Sequence, residues 1–209
     1  MTAGRNNAES VSQEWCTPPE YVNEIRKFFS GTIALDPCSN RHSIVKANTE
    51  YSLPEQDGLK ESWDYPSIFV NPPYGNDRER GTKIIHWLQK CSEAYSQYGA
   101  EVLALVPVAT NTRHWKNYVF GDATAIAFLY DTRLKFLVNG QNGGKGAPMS
   151  CAMIYWGADY GRFEDVFMQF GAVVDIRHLR GKLIGQRGSQ RQLGLPISRQ
   201  QEAAPWPMI

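Results

Sequence analysis

Residues 68–75 read Ile68-Phe69-Val70-Asn71-Pro72-Pro73-Tyr74-Gly75. The first three residues are apolar and predict a buried strand, which the prolines end because each fixes its own φ and restrains the residue before it. Neither proline carries a backbone N–H donor. The turn therefore presents the Asn71 amide and the Pro72 carbonyl as a rigid pair of acceptors, with the ring of Tyr74 beside them.

A fixed pair of acceptors beside an aromatic ring suits a planar substrate that bears an exocyclic amino group. Such an amine is a poor nucleophile because its lone pair is delocalised into the ring. Hydrogen bonds accepted from the amine favour a pyramidal nitrogen and direct its lone pair at an electrophile. An aromatic side chain can stack on a base that has left its duplex. The alternative is a strand-ending turn in which Tyr74 only packs, and the complete tetrapeptide after an apolar strand favours catalysis.

Strands alternate with helices on both sides of this turn. A Thr17 cap, Pro18 at the first helical position and Glu20 in a capping box predict the first helix, which Gly31 ends. The further predicted helices cover 80–98, 112–120 and 162–170, and the predicted strands cover 32–35, 68–70, 102–108, 123–130, 133–138, 149–156 and 173–176. This order predicts an α/β fold with a mostly parallel sheet and an antiparallel edge hairpin formed by 133–138 and 149–156.

Length and composition predict a globular protein. The 209 residues are 42% hydrophobic and 21% charged, which is typical of a soluble domain. We predict one domain over 15–180, a loose arm over 1–14 and a basic, flexible tail over 181–209. No apolar stretch approaches the roughly 20 residues that span a bilayer, and we see no export signal, so we expect a cytoplasmic protein without a membrane partner.

The charge is unevenly placed. The net charge is +1, and it divides into +4 from Ala172 onward and −3 before it. A basic tail suggests a polyanion partner, although a solvated, fraying terminus explains the charge equally well or better.

The cysteines and histidines do not predict a metal site. Cys16, Cys38, Cys91 and Cys151 are far apart in sequence, and the four histidines add no ligand spacing. We predict reduced, structural cysteines and no metal.

Four other motifs accompany the tetrapeptide. They are Glu14-Trp15-Cys16-Thr17-Pro18, Leu35-Asp36-Pro37-Cys38-Ser39, Asp57-Gly58-Leu59 and Leu105-Val106-Pro107. Together with Asn71-Pro72-Pro73-Tyr74 they resemble the phage-type DNA N-6-adenine methyltransferase family over about 14–156. The tetrapeptide alone is shared with methyltransferases that act on RNA and protein, so the whole set in this order is the more specific signal.

The resemblance implies a Rossmann-like, S-adenosylmethionine-dependent methyltransferase fold. It further implies methylation of adenine N6 in double-stranded DNA, with S-adenosylhomocysteine as the product and without a metal. A bacterial host cell and a phage or prophage origin are implied in the same way.

The resemblance also implies roles for individual residues. The catalytic tetrapeptide is Asn71, Pro72, Pro73 and Tyr74, in which Asn71 and Pro72 accept hydrogen bonds from adenine N6 and Tyr74 stacks on the flipped base. Asp36, with Pro37, Cys38 and Ser39, lies beside the methionine part of the cofactor.

Two further segments match cofactor-binding positions of the family. Trp15, Thr17 and Pro18 match a segment that closes over the cofactor. Asp57 is a candidate for the adenosine, with Leu59 as its apolar neighbour, although a turn residue before glycine is an equally good reading of Asp57.

The sequence departs from other methyltransferases in two ways. The Asp36 motif lacks the common glycine-rich loop, and only 34 residues separate Asp36 from Asn71. This is short for two complete strand–helix units. We therefore expect a sheet trimmed on the side that normally grips the ribose.

Recognition of DNA is predicted from polar and basic residues. The glycine-rich segment 139–148 contains Gln141 and Asn142, which could read adenine edges, and Lys145. Phosphate contacts are further predicted for Arg78, Arg80, Arg113, Lys116, Arg133 and Lys135. For any one of these residues, ordinary solvated charge is the alternative.

Other functions remain open at this point. The same fold could act on cytosine N4, RNA or a protein amide, because all of these need acceptors near an amino group. A catalytically silent DNA-binding protein is a further alternative.

Overall fold

The computed structural model describes residues 15–130, 134–142 and 149–178. The strands are β1 (Trp15–Cys16), β2 (Leu35–Asp36), β3 (Thr49–Glu50), β4 (Ser67–Val70), β5 (Glu101–Pro107), β6 (Ala125–Leu129), β7 (Leu137–Val138), β8 (Gln141–Asn142), β9 (Cys151–Trp156) and β10 (Gly171–Asp175). The helices are α1 (Pro19–Phe28), α2 (Ile84–Tyr98) and α3 (Tyr160–Phe167), together with a π-helical segment, Trp115–Val119. The longest of these helices has 15 residues, and none in the described ranges is long and apolar enough to cross a membrane.

A seven-stranded sheet forms the centre of the fold, in the order β10-β6-β9-β5-β4-β2-β3. Strands β2 to β6 all run in one direction, whereas β9 and β10 run in the other. The predicted α/β fold with a mostly parallel sheet is thus confirmed, and the Rossmann-like assignment stays a prediction.

Helices cover both faces of the sheet. On β5, Leu103 and Leu105 point into the core with α1 and α3, while Val102, Ala104 and Val106 point into the core with α2. Because both faces are buried, β5 is apolar at every position from Val102 to Val106. This explains why its sequence has no polar alternation.

The first helix begins one residue later than its sequence predicts. Pro18 is the N-cap and Pro19 the first helical residue, and no side chain caps the helix. The predicted Thr17 cap and the capping box with Glu20 are wrong, because the Thr17 hydroxyl is engaged by Asn71 instead. The helix ends before Gly31 as predicted, but the left-handed residue of its closing turn is Ser30: the Ser30 φ of 55° brings the Gly31 N–H to the Arg26 carbonyl.

The predicted edge hairpin is wrong. Strand β9 lies inside the sheet, antiparallel to both β5 and β6, and all six of its residues are buried. Strand β7 pairs with β1 and β8 in a separate three-stranded sheet. The predicted strands 133–138 and 149–156 flank one glycine-rich stretch, and this arrangement predicts that they pair with each other. Strand β9 is apolar throughout, however, and only a position inside the sheet can bury both of its faces.

One side of the sheet is reduced, as expected. Strands β2 and β3 have two residues each, and the chain between β2 and β4 contains no helix. The chain leaves β2 for the outer strand β3 and returns past β2 to β4. Strand order therefore reverses between β2 and β4, which is where ligands bind in open α/β sheets.

Candidate active site

The carboxyl ends of β2 and β4 lie side by side, because the two strands are parallel neighbours. The turn after β2 places Asp36 in the interior, with 4% of its surface exposed. Its Oδ1 accepts a hydrogen bond of 3.1 Å from the Cys38 N–H. Burial, with a smaller contribution from the nearby Glu50, raises the pKa of the Asp36 carboxyl to about 7, against the opposing effect of the Cys38 hydrogen bond.

The loop Asp57-Gly58-Leu59, which the sequence predicts to bind the cofactor, packs directly on this turn. A Cβ atom on Gly58 would lie 1.8 Å from the Pro37 carbonyl oxygen, so only glycine allows the two backbones to approach. The Trp63 indole N–H donates a hydrogen bond of 2.8 Å to the Gly58 carbonyl and so holds this loop in place. Two motifs that are separate in sequence thus form one surface.

Asp57 is engaged within the protein. Its Oδ1 accepts from the Leu59 N–H at 3.1 Å and lies 3.2 Å from Nη1 of Arg80. Arg80 also contacts Asp77 at 2.7 Å and is only 22% exposed. Because two carboxylates neutralise it, Arg80 carries no free charge for a phosphate.

A cleft of about 580 Å³ lies between this loop and the start of α2. Its lining is mostly polar and charged, and it includes Asp57, Leu59, Lys60, Arg80, His86 and Lys90.

The Asn71 amide has partners on both sides. Its Nδ2 donates to Thr17 Oγ1 at 3.2 Å and to the Trp15 carbonyl at 3.5 Å. Its Oδ1 accepts from the Tyr74 hydroxyl at 3.2 Å, and that hydroxyl also lies 3.2 Å from the Leu105 carbonyl. An amide oxygen has two lone pairs, so Oδ1 keeps one acceptor position for a further donor.

Two hydrogen-bond partners of this amide, Trp15 and Tyr74, belong to a cluster of three aromatic rings. Trp15 stacks on Phe136 at 5.3 Å, and Tyr74 meets both rings edge to face, at 6.2 and 5.9 Å. Sequence reasoning missed Phe136, because it stands in an apolar stretch that gives no sign of contact with Trp15. Burial raises the pKa of the Tyr74 phenol well above its usual value, so Tyr74 remains a hydrogen-bond donor at neutral pH.

The thiols near the tetrapeptide are not activated. Burial, and then the Asp36 carboxylate, raise the pKa of Cys38 well above its usual value. Burial also raises the pKa of Cys151 to about 11. Since the thiolate is the nucleophilic form, neither cysteine is a nucleophile at neutral pH.

The remaining residues that the sequence predicts to bind DNA or the cofactor, or to act in catalysis, differ in their exposure. The side chains of Arg78, Arg113, Lys116, Lys135 and Gln141 are exposed. Pro18, Pro37 and Pro72 are buried, Pro73 is exposed, and Asn142 lies in β8. Arg133 and Lys145, like the predicted arm and tail, lie outside the described residues. Within the described ranges, no three His, Cys, Asp or Glu side chains group as a metal site would require.

Comparison with known proteins gives one match. The profile of the family described as DNA N-6-adenine-methyltransferase (Dam) matches residues 4–176. Searches of the curated proteins and of the solved structures found no match.

The contact between Gly58 and Pro37 can be tested by Gly58→Ala. The new methyl group would overlap a backbone carbonyl that cannot move aside, so we expect a loss of about 2 kcal/mol or more in the free energy of unfolding. Gly75→Ala is the matched control, because a Cβ there meets nothing within 4 Å. Equal stabilities of the two variants in urea titrations would contradict the contact.

The pKa of Asp36 predicts a pH dependence of stability. The folded pKa is about 7, above the ordinary 3.8, so the native state binds more protons than the unfolded state between these values. Stability should therefore fall as pH rises from about 4 to about 7. At about 1.4 kcal/mol per pH unit, Asp36→Asn should stabilise the protein at pH 8 by at most about 4 kcal/mol, and much less at pH 5.

Denaturant titrations at pH 5 to 8 measure this difference. Asp175 is the control, because Arg177 lowers the pKa of that carboxyl to about 2, so Asp175→Asn should not stabilise the protein at any of these pH values. A stability gain for Asp36→Asn that is the same at pH 5 and pH 8 would sink the prediction.

Proposed function

Because the chain belongs to the DNA N-6-adenine-methyltransferase (Dam) family, we propose that it transfers a methyl group from S-adenosylmethionine to N6 of an adenine flipped out of duplex DNA. The observation that carries this proposal is the geometry of the Asn71 amide. Its Nδ2 is held by Thr17 and Trp15, while its Oδ1 has one acceptor position left. An adenine amino group that reaches the end of β4 could donate a hydrogen bond to this free position of the Asn71 Oδ1.

In the proposed reaction Asn71 and Pro72 act on the amino group of the base. The Asn71 Oδ1 and the Pro72 carbonyl accept its two hydrogens, which favours a pyramidal nitrogen with a directed lone pair. Pro73 stiffens the turn between Pro72 and Tyr74. Tyr74 stacks on the base, and its two edge-to-face contacts hold the ring before the base arrives.

The turn after β2 fits the amino-acid part of S-adenosylmethionine. The Ser39 hydroxyl is buried and makes no hydrogen bond of good geometry in the described part of the chain, and it lies near the Asp36 carboxyl, whose pKa it lowers. A bound polar group would satisfy Ser39 and benefit from an ionised Asp36. We therefore assign these two residues, with Pro37 and Cys38, to the cofactor.

Bound in this turn, S-adenosylmethionine would supply an electrophilic methyl group on a sulfonium centre. The adenosine end is assigned to Asp57 and Leu59, where Asp57 would be shared with Arg80. Trp15 and Pro18 are the remaining residues that we assign to the cofactor site.

Transfer directly to the base agrees with the state of the nearby thiols. Cys38 and Cys151 are both neutral because burial raises their pKa values. A mechanism that passes through a cysteine nucleophile would need one of them as a thiolate. The proposal therefore has a single displacement step.

The proposed DNA surface is the edge of the sheet at which β2, β4 and β5 end. Arg113 and Lys116 follow the carboxyl end of β5, are exposed, and pair with no carboxylate in the described ranges. Arg78, Lys135 and the hairpin residues Gln141 and Asn142 are further candidates. We leave Arg80 out of this set because Asp57 and Asp77 neutralise it.

The test of the proposed function is methyl transfer to unmethylated duplex DNA, with nucleoside analysis of the product. Wild-type protein should form N6-methyladenine, and Asn71→Ala should lower kcat by about 100-fold or more. Binding of S-adenosylmethionine and the melting temperature should stay close to wild type.

Asn76→Ala is the matched control, since Asn76 is an exposed asparagine in the same loop. Near-wild-type turnover by Asn71→Ala would overturn the mechanism. N4-methylcytosine as the product would correct the base, and label in RNA or protein alone would correct the substrate class.

The DNA surface predicts a salt dependence of binding. Arg113→Gln and Lys116→Gln should each weaken DNA binding uniformly across sequences and lower the slope of log K against log salt concentration by about 1. Lys27→Gln is the control, because α1 ends where the chain enters β2, at the opposite edge of the sheet. Unchanged slopes for both variants, measured by fluorescence anisotropy from 50 to 200 mM salt, would exclude phosphate contacts at these residues.

A further inference from the structure

Thr17 is buried between β1 and α1, with 2% of its surface exposed. Its backbone is fixed on both sides, since Cys16 pairs with Leu137 of β7 and Pro18 forms the N-cap of α1. The Thr17 hydroxyl is not used as a helix cap. It accepts a hydrogen bond of 3.2 Å from the Asn71 amide, which comes from a segment 54 positions away in sequence.

An asparagine amide can present either its oxygen or its NH2 group to a substrate. Here the Trp15 carbonyl, which can only accept, sets the orientation of the NH2 group. However, it lies 3.5 Å from Nδ2, at the outer limit of a hydrogen bond. The Thr17 hydroxyl is the closer partner of Nδ2, and without it the amide would be held on that side only by this long contact.

We propose that Thr17 is a positioning residue for the transfer step, in which its hydroxyl holds Asn71 with Oδ1 directed at the amino group of the substrate. The inference rests on the proposed function of Asn71. It differs from the role that family resemblance implies for Thr17, which is contact with the cofactor. The two roles predict changes in different constants.

The effect should appear in kcat, because a misplaced acceptor acts on the reacting nitrogen and not on the bound cofactor. Small misplacements of a catalytic group cost up to about 100-fold in rate. Thr17→Val keeps the shape of the side chain and removes the hydroxyl. We expect it to lower kcat about 10- to 100-fold, with the KM for DNA and the Kd for S-adenosylmethionine within about twofold of wild type.

Thr17→Ser provides the rescue, since it restores the hydroxyl without the methyl group and should recover most of kcat. Thr124→Val is the matched control: Thr124 is equally buried, and its hydroxyl donates to the Gly157 carbonyl at 2.6 Å. That variant should lose stability and retain kcat. If Thr17→Val does not fold, Thr17→Ala removes the same hydroxyl with less bulk.

The experiment measures kcat and KM by methyl transfer to duplex DNA, and the Kd for S-adenosylmethionine by calorimetry. An unchanged kcat in Thr17→Val, or a raised Kd with kcat intact, would overturn the positioning role. Asn71→Ala is measured alongside: its residual kcat should not fall further when Thr17→Val is added. If Asn71→Ala itself stays active, the proposed function fails, and this outcome is distinct from failure of the Thr17 inference alone.

Discussion

The hydrogen bonds of the Asn71 amide connect parts of the chain that are distant in sequence. Nδ2 joins the end of β4 to Trp15 of β1 and to Thr17 directly after β1, and Oδ1 joins it to the Tyr74 hydroxyl. Strand β1 is in turn paired with β7 in the small sheet. The position of one amide therefore depends on the pairing of β1 with β7 and on the strand order that places β4 beside β2.

The groups beside the Asn71 amide carry little charge. Burial raises the pKa values of Cys38 and Tyr74 above their usual values, so both keep their protons at neutral pH, while burial raises the pKa of the Asp36 carboxyl to about 7, so that Asp36 exchanges its proton near neutral pH. Tyr74 thus remains a donor to Asn71, and Cys38 remains a thiol. In the proposed reaction such a site orients an amino group by hydrogen bonds, which needs neither a strong base nor a nucleophile.

The sequence predicts elements better than it predicts their partners. Apolar runs identify β4, β5, β6 and β9 to within two residues, because burial on both faces demands such runs. The same runs cannot identify the neighbours of β9, since an apolar strand fits any interior position. The Thr17 cap fails for a similar reason, as a hydroxyl before a helix has competing partners that the local sequence does not contain.

The sequence by itself determined the alternation of strands and helices, the rigid acceptor turn at Asn71 and the resemblance that the family match bears out. These depend on local chemistry: apolar runs, prolines and the order of short motifs. Only the tertiary structure decided that Gly58 packs on Pro37, that Asp57 and Asp77 neutralise Arg80, and that Thr17 holds Asn71. Most of these contacts join residues that are distant in sequence. They form because the strand order reverses between β2 and β4, which brings these segments together and buries them.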